Sequence, residues 1–262
     1  MVPISSKIIP GLRSLLMVKT GHQESFFSLQ LKDYYTQQYP LPARLHTMST
    51  VISLASREDL PALAEVNRTA YSLELPSRFA HKNWQDKNYM FNFLKGRLAV
   101  RFDHPGTQVF KAVDPATDKI VGFACWTLEV PKEEVEPTPT GKMVQKMPPT
   151  MNFEFIKTVG AEIEQLRDHM KGEEHYYLSA FAVDLDQQNK GIGSQLLKHC
   201  LQIADDARLP TWLIAFPGSH NLYLRFGFED VDHRDIDLNA WDDNKMRGFG
   251  IYRQYAMVRR LK

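Results

Sequence analysis

Two periodicities alternate along the chain from Val51 onward. Short apolar runs predict strands: VISLA at 51–55, QVFKAV at 108–113, KIVGFACWTLEV at 119–130, the stretch at 177–183 and TWLIAF at 211–216. Residues three and four apart predict helices instead. One face joins Leu60, Leu63, Ala64, Asn67 and Tyr71, and a second helical tract runs from Asn83 to Val100 with an aromatic cluster. Later come Phe155, Ile156, Val159, Ile163 and Leu166, then Ile192, Leu196, Leu197, Cys200, Leu201 and Ala204. Ser56 and Asp59 give the first helix a capping-box start, and it is expected to end before Pro76. The polar turn 114–118 makes a hairpin of its two flanking strands, in which Gly122 marks a bulge or a close backbone contact. An alternating strand, Glu229 to Leu238, and a last one, Gly248 to Arg259, complete the order β-α-α-β-β-α-β-α-β-α-β-β.

Two stretches do not fit either period. Residues 1–47 carry Lys7, Arg13 and Lys19 and no acid before Glu24. That bias suits a targeting segment for an organelle such as the mitochondrion, a flexible tail, or a start codon displaced from Met48. The preferred reading is a non-catalytic N-terminal extension, 1–47, ahead of one domain, 48–262. Residues 131–151 hold five prolines and both signs of charge, which argues against helix or strand and for a lid, an acceptor-binding loop or a disordered segment, of which a lid governing acceptor choice is the preferred reading.

Composition narrows the classes. A chain of 262 residues, 43% hydrophobic and 24% charged, can bury one substantial core. A formal net charge of +1 draws in neither nucleic acid nor membrane, and no apolar run approaches the roughly 20 residues a bilayer span needs. Cys125 and Cys200 sit inside a strand-like and a helix-like segment. They read as core packing in a reducing, cytoplasmic compartment rather than as a disulfide or a nucleophile.

The chemistry concentrates in YLSAFAVDLDQQNKGIG, 177–193. A strand, a glycine turn and a helix start follow one another there. Backbone N–H groups at such a helix start have no partner, and the dipole adds partial positive charge, so the turn suits a phosphate or pyrophosphate. The dinucleotide fingerprint would need a third glycine at 196, which is Leu196, and a P-loop would need its lysine after the glycines. What stands is Gln188-x-x-Gly191-x-Gly193. Downstream, Tyr223 begins a Tyr-x-x-x-Gly-Phe element ending at Phe228.

In that order and spacing the two elements resemble the GNAT N-acetyltransferase superfamily, over roughly Val51 to Arg259 and specifically at 176–228. The resemblance implies an α/β (α+β) fold, a central mixed, mostly antiparallel twisted sheet of about seven strands with helices on both faces. It implies acetyl-CoA as co-substrate, no metal, and direct attack of a primary amine on the thioester. Gln188, Asn189, Lys190, Gly191, Ile192, Gly193 and Ser194 would hold the pyrophosphate. Phe181, Ala182 and Val183 would pair their backbone with the pantetheine and polarise the acetyl carbonyl. Tyr223 would protonate the leaving thiolate. The general base stays unassigned among Glu129, Glu173, Glu174, His175 and a water chain. A small-molecule amine is expected as acceptor rather than a protein tail, with no nucleic-acid or membrane partner and a monomer or homodimer as the assembly. The reading from a different class is a catalytically idle acyl-CoA-binding or scaffold domain of the same fold.

Overall fold

The computed structural model of the chain describes residues 49–71, 74–131, 149–241 and 248–261. The expected extension 1–47 and most of the proline-rich loop lie outside them. Among the described residues seven strands form one sheet: β1 (Val51–Leu54), β2 (Thr107–Asp114), β3 (Lys119–Glu129), β4 (His175–Val183), β5 (Thr211–Ala215), β7 (Ile251–Arg259) and β6 (Glu229–Asp237), in that spatial order. β4 and β5 are parallel, and every other neighbouring pair is antiparallel. Six helices accompany them: α1 (Leu60–Tyr71), α2 (Leu75–Ala80), α3 (Lys87–Asp103), α4 (Phe153–Arg167), α5 (Ile192–Ala207) and α6 (Pro217–Arg225).

The sheet is covered on both faces because its strands are apolar on both. In β3, Phe123 and Cys125 join Leu63, Ala64, Val66 and Leu98 of α1 and α3. Between them Ala124 and Trp126 turn to the other side, onto Leu196, Leu197, Cys200 and Leu201 of α5. That is the period of two expected of a buried strand. The apolar stripe read from the sequence of α5 is buried throughout. Elsewhere, Leu166 at the end of α4 packs with Trp212, Ala256 and Val258 of β5 and β7.

Three elements depart from the sequence pattern, each for a local reason. Pro76 does not simply end the first helix; it sits in the first turn of α2, where its missing N–H costs nothing. Pro217, read as a breaker, likewise opens α6. The aromatic helix begins at Lys87 rather than Asn83, because the Asp86 carboxylate accepts from the N–H groups of Asn88 and Tyr89 at 2.9 and 3.1 Å.

Two irregularities shape the middle of the sheet. In β3 the register shifts so that Val121 is the extra residue, and a Cβ on its neighbour Gly122 would stand 3.0 Å from Leu196 Cδ1 and 3.1 Å from the Ala182 carbonyl oxygen. Gly122 is thus both bulge neighbour and close contact, and it lets α5 lie tight on the sheet. In β4 the register against β3 shifts at Ser179. An extra residue reverses which side chains face which way. Before it, Tyr176 and Leu178 face α5; after it, Phe181 and Val183 do, while Ala180 and Ala182 face α1 and α3.

Beside that bulge the sheet splits. The parallel register between β4 and β5 runs only through Tyr176–Thr211 and Tyr177–Trp212. β4 continues pairing with β3 as far as Val183, and β5 with β7 as far as Ala215. From Ser179 onward the other edge of β4 borders a gap.

Candidate active site

The glycine turn closes one end of this gap. Asp184 accepts from the Asp186 N–H at 3.0 Å, starting a tight turn over Leu185–Gln187. Gln188 Nε2 donates to the Val183 carbonyl at 3.2 Å. Asn189 and Gly191 both take left-handed backbone, at φ 62° and 84°. Gly191 is the N-cap of α5, a position where any Cβ would be strained. The N–H groups of the first turn, Ile192, Gly193 and Ser194, have no intrahelical acceptor. A Cβ on Gly193 would make ordinary contact, 3.6 Å from Phe181 and Val183.

The sequence-predicted residues divide by what their side chains do. Ile192 is buried in the core, so only its backbone is available to a ligand. Lys190 braces the turn itself, donating to the Asp186 carbonyl at 2.9 Å and to Gln187 Oε1 at 2.8 Å. Phe181, Ala182 and Val183 carry the exposed edge of β4 past the gap.

Tyr223, on α6, lies at the same gap. It is 5% exposed, with its ring 6.3 Å from Phe181 and 5.7 Å edge-to-face from Phe228. Burial, and then the nearby Tyr71 phenol, push its ionisation well above the ordinary tyrosine range, while a hydrogen bond with Ser219 pulls the other way. Its proton therefore stays in place at any working pH.

Tyr71, at the C-terminal end of α1, leads to a carboxylate that the sequence reading passed over. Its ring meets Phe216 edge-on at 5.8 Å, and Phe216 in turn meets Tyr252 of β7 at 6.3 Å. Tyr252 donates its hydroxyl proton to Oε2 of Glu74, the residue just before α2. Burial raises the Glu74 pKa above the usual carboxylate range, and the hydrogen bond from Tyr252 opposes part of that rise. Burial above all raises the pKa of the Tyr71 phenol, the charges of Arg101 and Arg97 oppose that rise, and the charge of Glu74 adds to it. Glu74, Tyr71 and Tyr223 thus form one electrostatic group.

Of the carboxylates nearer in sequence to β4, Glu174 is exposed and the other two are engaged in ion pairs. Glu129 pairs with Arg167 at 2.6 Å and with His175 at 3.3 Å, and Glu173 pairs with Arg260. These pairs tie down the start of β4, at the opposite end of the strand from the glycine turn. Both cysteines are fully buried, and burial pushes Cys125 up to about 12 and Cys200 higher still, so neither offers a thiolate. Among the described residues no three His, Cys, Asp or Glu side chains gather as a metal site would need, and no helix is long and apolar enough to cross a membrane.

On the α1–α3 side of β4 a cavity of about 210 Å³ opens at Ala180. Asn67 and Tyr71 of α1, His81 after α2, Arg97 and Arg101 of α3, and Met151 line parts of it. Met151 is held there by a bridge to His81, with the Lys82 N–H donating to the Thr150 carbonyl at 2.8 Å. The end of the proline-rich stretch is thereby part of the cavity wall.

Among curated proteins no sequence matches the chain. Solved structures share its fold. Arylalkylamine N-acetyltransferase 2 from Aedes aegypti superposes with a TM-score of 0.61 at 14% identity, over 82% of this chain and 100% of that one. A mosquito arylalkylamine N-acetyltransferase like 5b gives 0.53 at 17%, over 81% and 100%. The histone acetyltransferase HPA2 and related acetyltransferase from Corynebacterium glutamicum gives 0.53 at 20%, over 82% and 98%. The family model described as Acetyltransferase (GNAT) family matches residues 68–228, which run from within α1 to Phe228 and include the glycine turn, Tyr223 and the split in the sheet. The chain belongs to the GNAT acetyltransferase family and is an acyltransferase.

Proposed function

We propose that the protein transfers the acetyl group of acetyl-CoA to the primary amine of a small molecule by direct attack. The observation that carries this reading is a coincidence of three features at one end of β4. The sheet splits there, the first turn of α5 presents free N–H groups, and the Tyr223–Tyr71–Glu74 group lies alongside. Gln188 to Ser194 hold the pyrophosphate, chiefly through backbone, and Gln188 also fixes the turn to β4. The free edge at Phe181, Ala182 and Val183 receives the pantetheine and donates an N–H to the acetyl carbonyl, an interaction worth a few kcal/mol once carbonyl oxygen becomes oxyanion. Glu74 takes the proton of the amine and Tyr223 hydrogen-bonds the departing sulfur. Residues 48–262 constitute the catalytic domain, and residues 1–47 take no part in the chemistry.

The amine-acetylation reading is tested by thiol release from acetyl-CoA with and without a panel of primary amines. Amine-dependent release supports it. Hydrolysis that no amine accelerates counts against it.

The pyrophosphate loop has its own test in Gly193→Asp. A carboxylate in the first turn favours the helix by about 0.3–1 kcal/mol, and the new Cβ meets only ordinary contacts. The fold should therefore hold while the negative charge opposes the ligand. After solvent screening at a half-buried loop the repulsion is about 2 kcal/mol, roughly a thirtyfold weaker Kd for CoA by calorimetry. Unchanged affinity with an unchanged melting temperature would remove the loop from the cofactor site.

A further inference from the structure

Among the described residues that line the cavity on the α1–α3 side of β4, two are cationic and none is acidic. Arg97 and Arg101 stand one helical turn apart on α3 and both line it. Like charges at this spacing destabilise a helix by a few tenths of a kcal/mol. Arg101 is fixed in place: Nη2 donates to the Ser179 carbonyl at 3.0 Å, Nε to Ser179 Oγ at 3.4 Å, and Nη1 to the Arg97 carbonyl at 3.0 Å. Arg97 has its guanidinium carbon 6.0 Å from the centre of the Phe93 ring. Among the described residues neither guanidinium has a carboxylate within ion-pair distance, and none of the residues lining the cavity is acidic. Arg97 remains open to solvent where it lines the cavity. An accessible cation that no neighbouring carboxylate neutralises is a group arranged to be met by something that enters.

We propose that the acetyl acceptor is an amine that also carries an anionic group, a carboxylate or a phosphate, which Arg97 and Arg101 bind while its amine faces β4. The proposal rests on the acetyl-transfer reading above and names its substrate class. Three further features agree with it. The planar guanidinium of Arg97 offers paired donors to a carboxylate or phosphate. Arg101 ties the anion site to Ser179, the bulge residue of β4 two positions before the edge where the acetyl group would lie. The remaining wall is largely apolar, with Met90, Phe93, Leu94, Met151 and Ile156. That combination fits an apolar amino acid, or an amine phosphate, of modest size. His81 does not compete for the anion's charge: burial and Arg97 hold its pKa at about 4, so it is neutral while the enzyme works.

The experiment compares amines that differ in the anion alone. Phenylalanine and phenylethylamine share every atom but the carboxylate, and O-phosphoethanolamine and ethanolamine form the phosphate pair. For the wild-type protein kcat/KM should favour the anionic member of at least one pair by tenfold or more, and which pair does so identifies the anion. In Arg97→Met that ratio should fall to near one, chiefly through the KM of the anionic amine. Arg97→Lys, which restores the charge without the fork, should recover part of it. Thermal melting of each variant separates these effects from unfolding. Preference for phenylethylamine and ethanolamine, or ratios that Arg97→Met leaves unmoved, would overturn the proposal while acetyl transfer itself stood. Should no amine be acetylated, calorimetric titration of CoA-loaded protein with phenylalanine and O-phosphoethanolamine decides the matter. Arg97-dependent binding supports the anion site, and absence of binding by both overturns it.

Discussion

Glu74→Gln is expected to lower kcat for amine acetylation by roughly a thousandfold at neutral pH, within the range general acid–base catalysis supplies, and to leave the KM for acetyl-CoA unchanged. An amine attacks only as its neutral form, and most amines are protonated near pH 7. A carboxylate with an ordinary pKa is a weak base for that proton. Burial raises the pKa of Glu74, which strengthens its carboxylate as a base. Oε2 accepts from Tyr252, and Oε1 has no hydrogen-bond partner among the described residues, which leaves it for the substrate or a water. The substitution is close to isosteric. Glu74 precedes α2 without making a side-chain cap bond, so no cap is lost.

The pH profile separates a base from a merely structural glutamate. Wild-type activity should rise with pH through the raised pKa of Glu74, giving an acid limb above the usual carboxylate range. That limb should vanish in Glu74→Gln, whose deficit narrows at alkaline pH as the amine loses its proton unaided. Tyr252→Phe removes the hydrogen bond that pulls the Glu74 pKa down, so its limb should shift to higher pH. A Glu74→Gln enzyme within threefold of wild type would assign the proton to water.

These two partners show where the sequence stops being informative. Glu74 and Tyr252 are 178 residues apart, and only the antiparallel return of β7 beside β5 brings them together. No local pattern encodes that contact. The same holds for Arg97 and Arg101: beside Phe91, Phe93 and Leu94 they read as the polar face of an ordinary helix until α3 is laid over the end of β4. The glycine turn was legible because its function is local. The strand end at Val183, a left-handed glycine and the apolar stripe from Ile192 to Ala204 follow one another directly along the chain. Tyr223 was legible only through its spacing to Gly227 and Phe228; its burial and its tie to Tyr71 belong to the folded chain. The bulge at Ser179 was not legible at all. Nothing in Leu178-Ser179-Ala180 distinguishes an extra residue from a regular one, and its presence is felt only as a reversal of facing along β4.

Tyr223→Phe should reduce kcat by about a hundredfold, the low end of the general-acid range, with the KM for acetyl-CoA nearly fixed. The phenol contributes where charge develops on sulfur and little to the bound ground state, which is the signature of an interaction made in the transition state. Burial decides the form of that contribution. A model thiol ionises near pH 8.5 and a model phenol near 10, and the Tyr223 phenol is pushed higher still. Complete transfer of its proton to the thiolate is thus uphill, and the hydroxyl acts mainly as a hydrogen-bond donor that stabilises the leaving sulfur until solvent protonates it. No alkaline limb in kcat should come from Tyr223. Because the sulfur leaves as thiolate and the phenol keeps its proton, the Tyr223→Phe deficit should be nearly independent of pH. Single-turnover rates are the right measurement, since slow release of CoA would mask a chemical step. If Tyr223→Phe turns over at the wild-type rate, the tyrosine serves only to fill the space between Phe181 and Phe228, and the sulfur is stabilised by backbone or water.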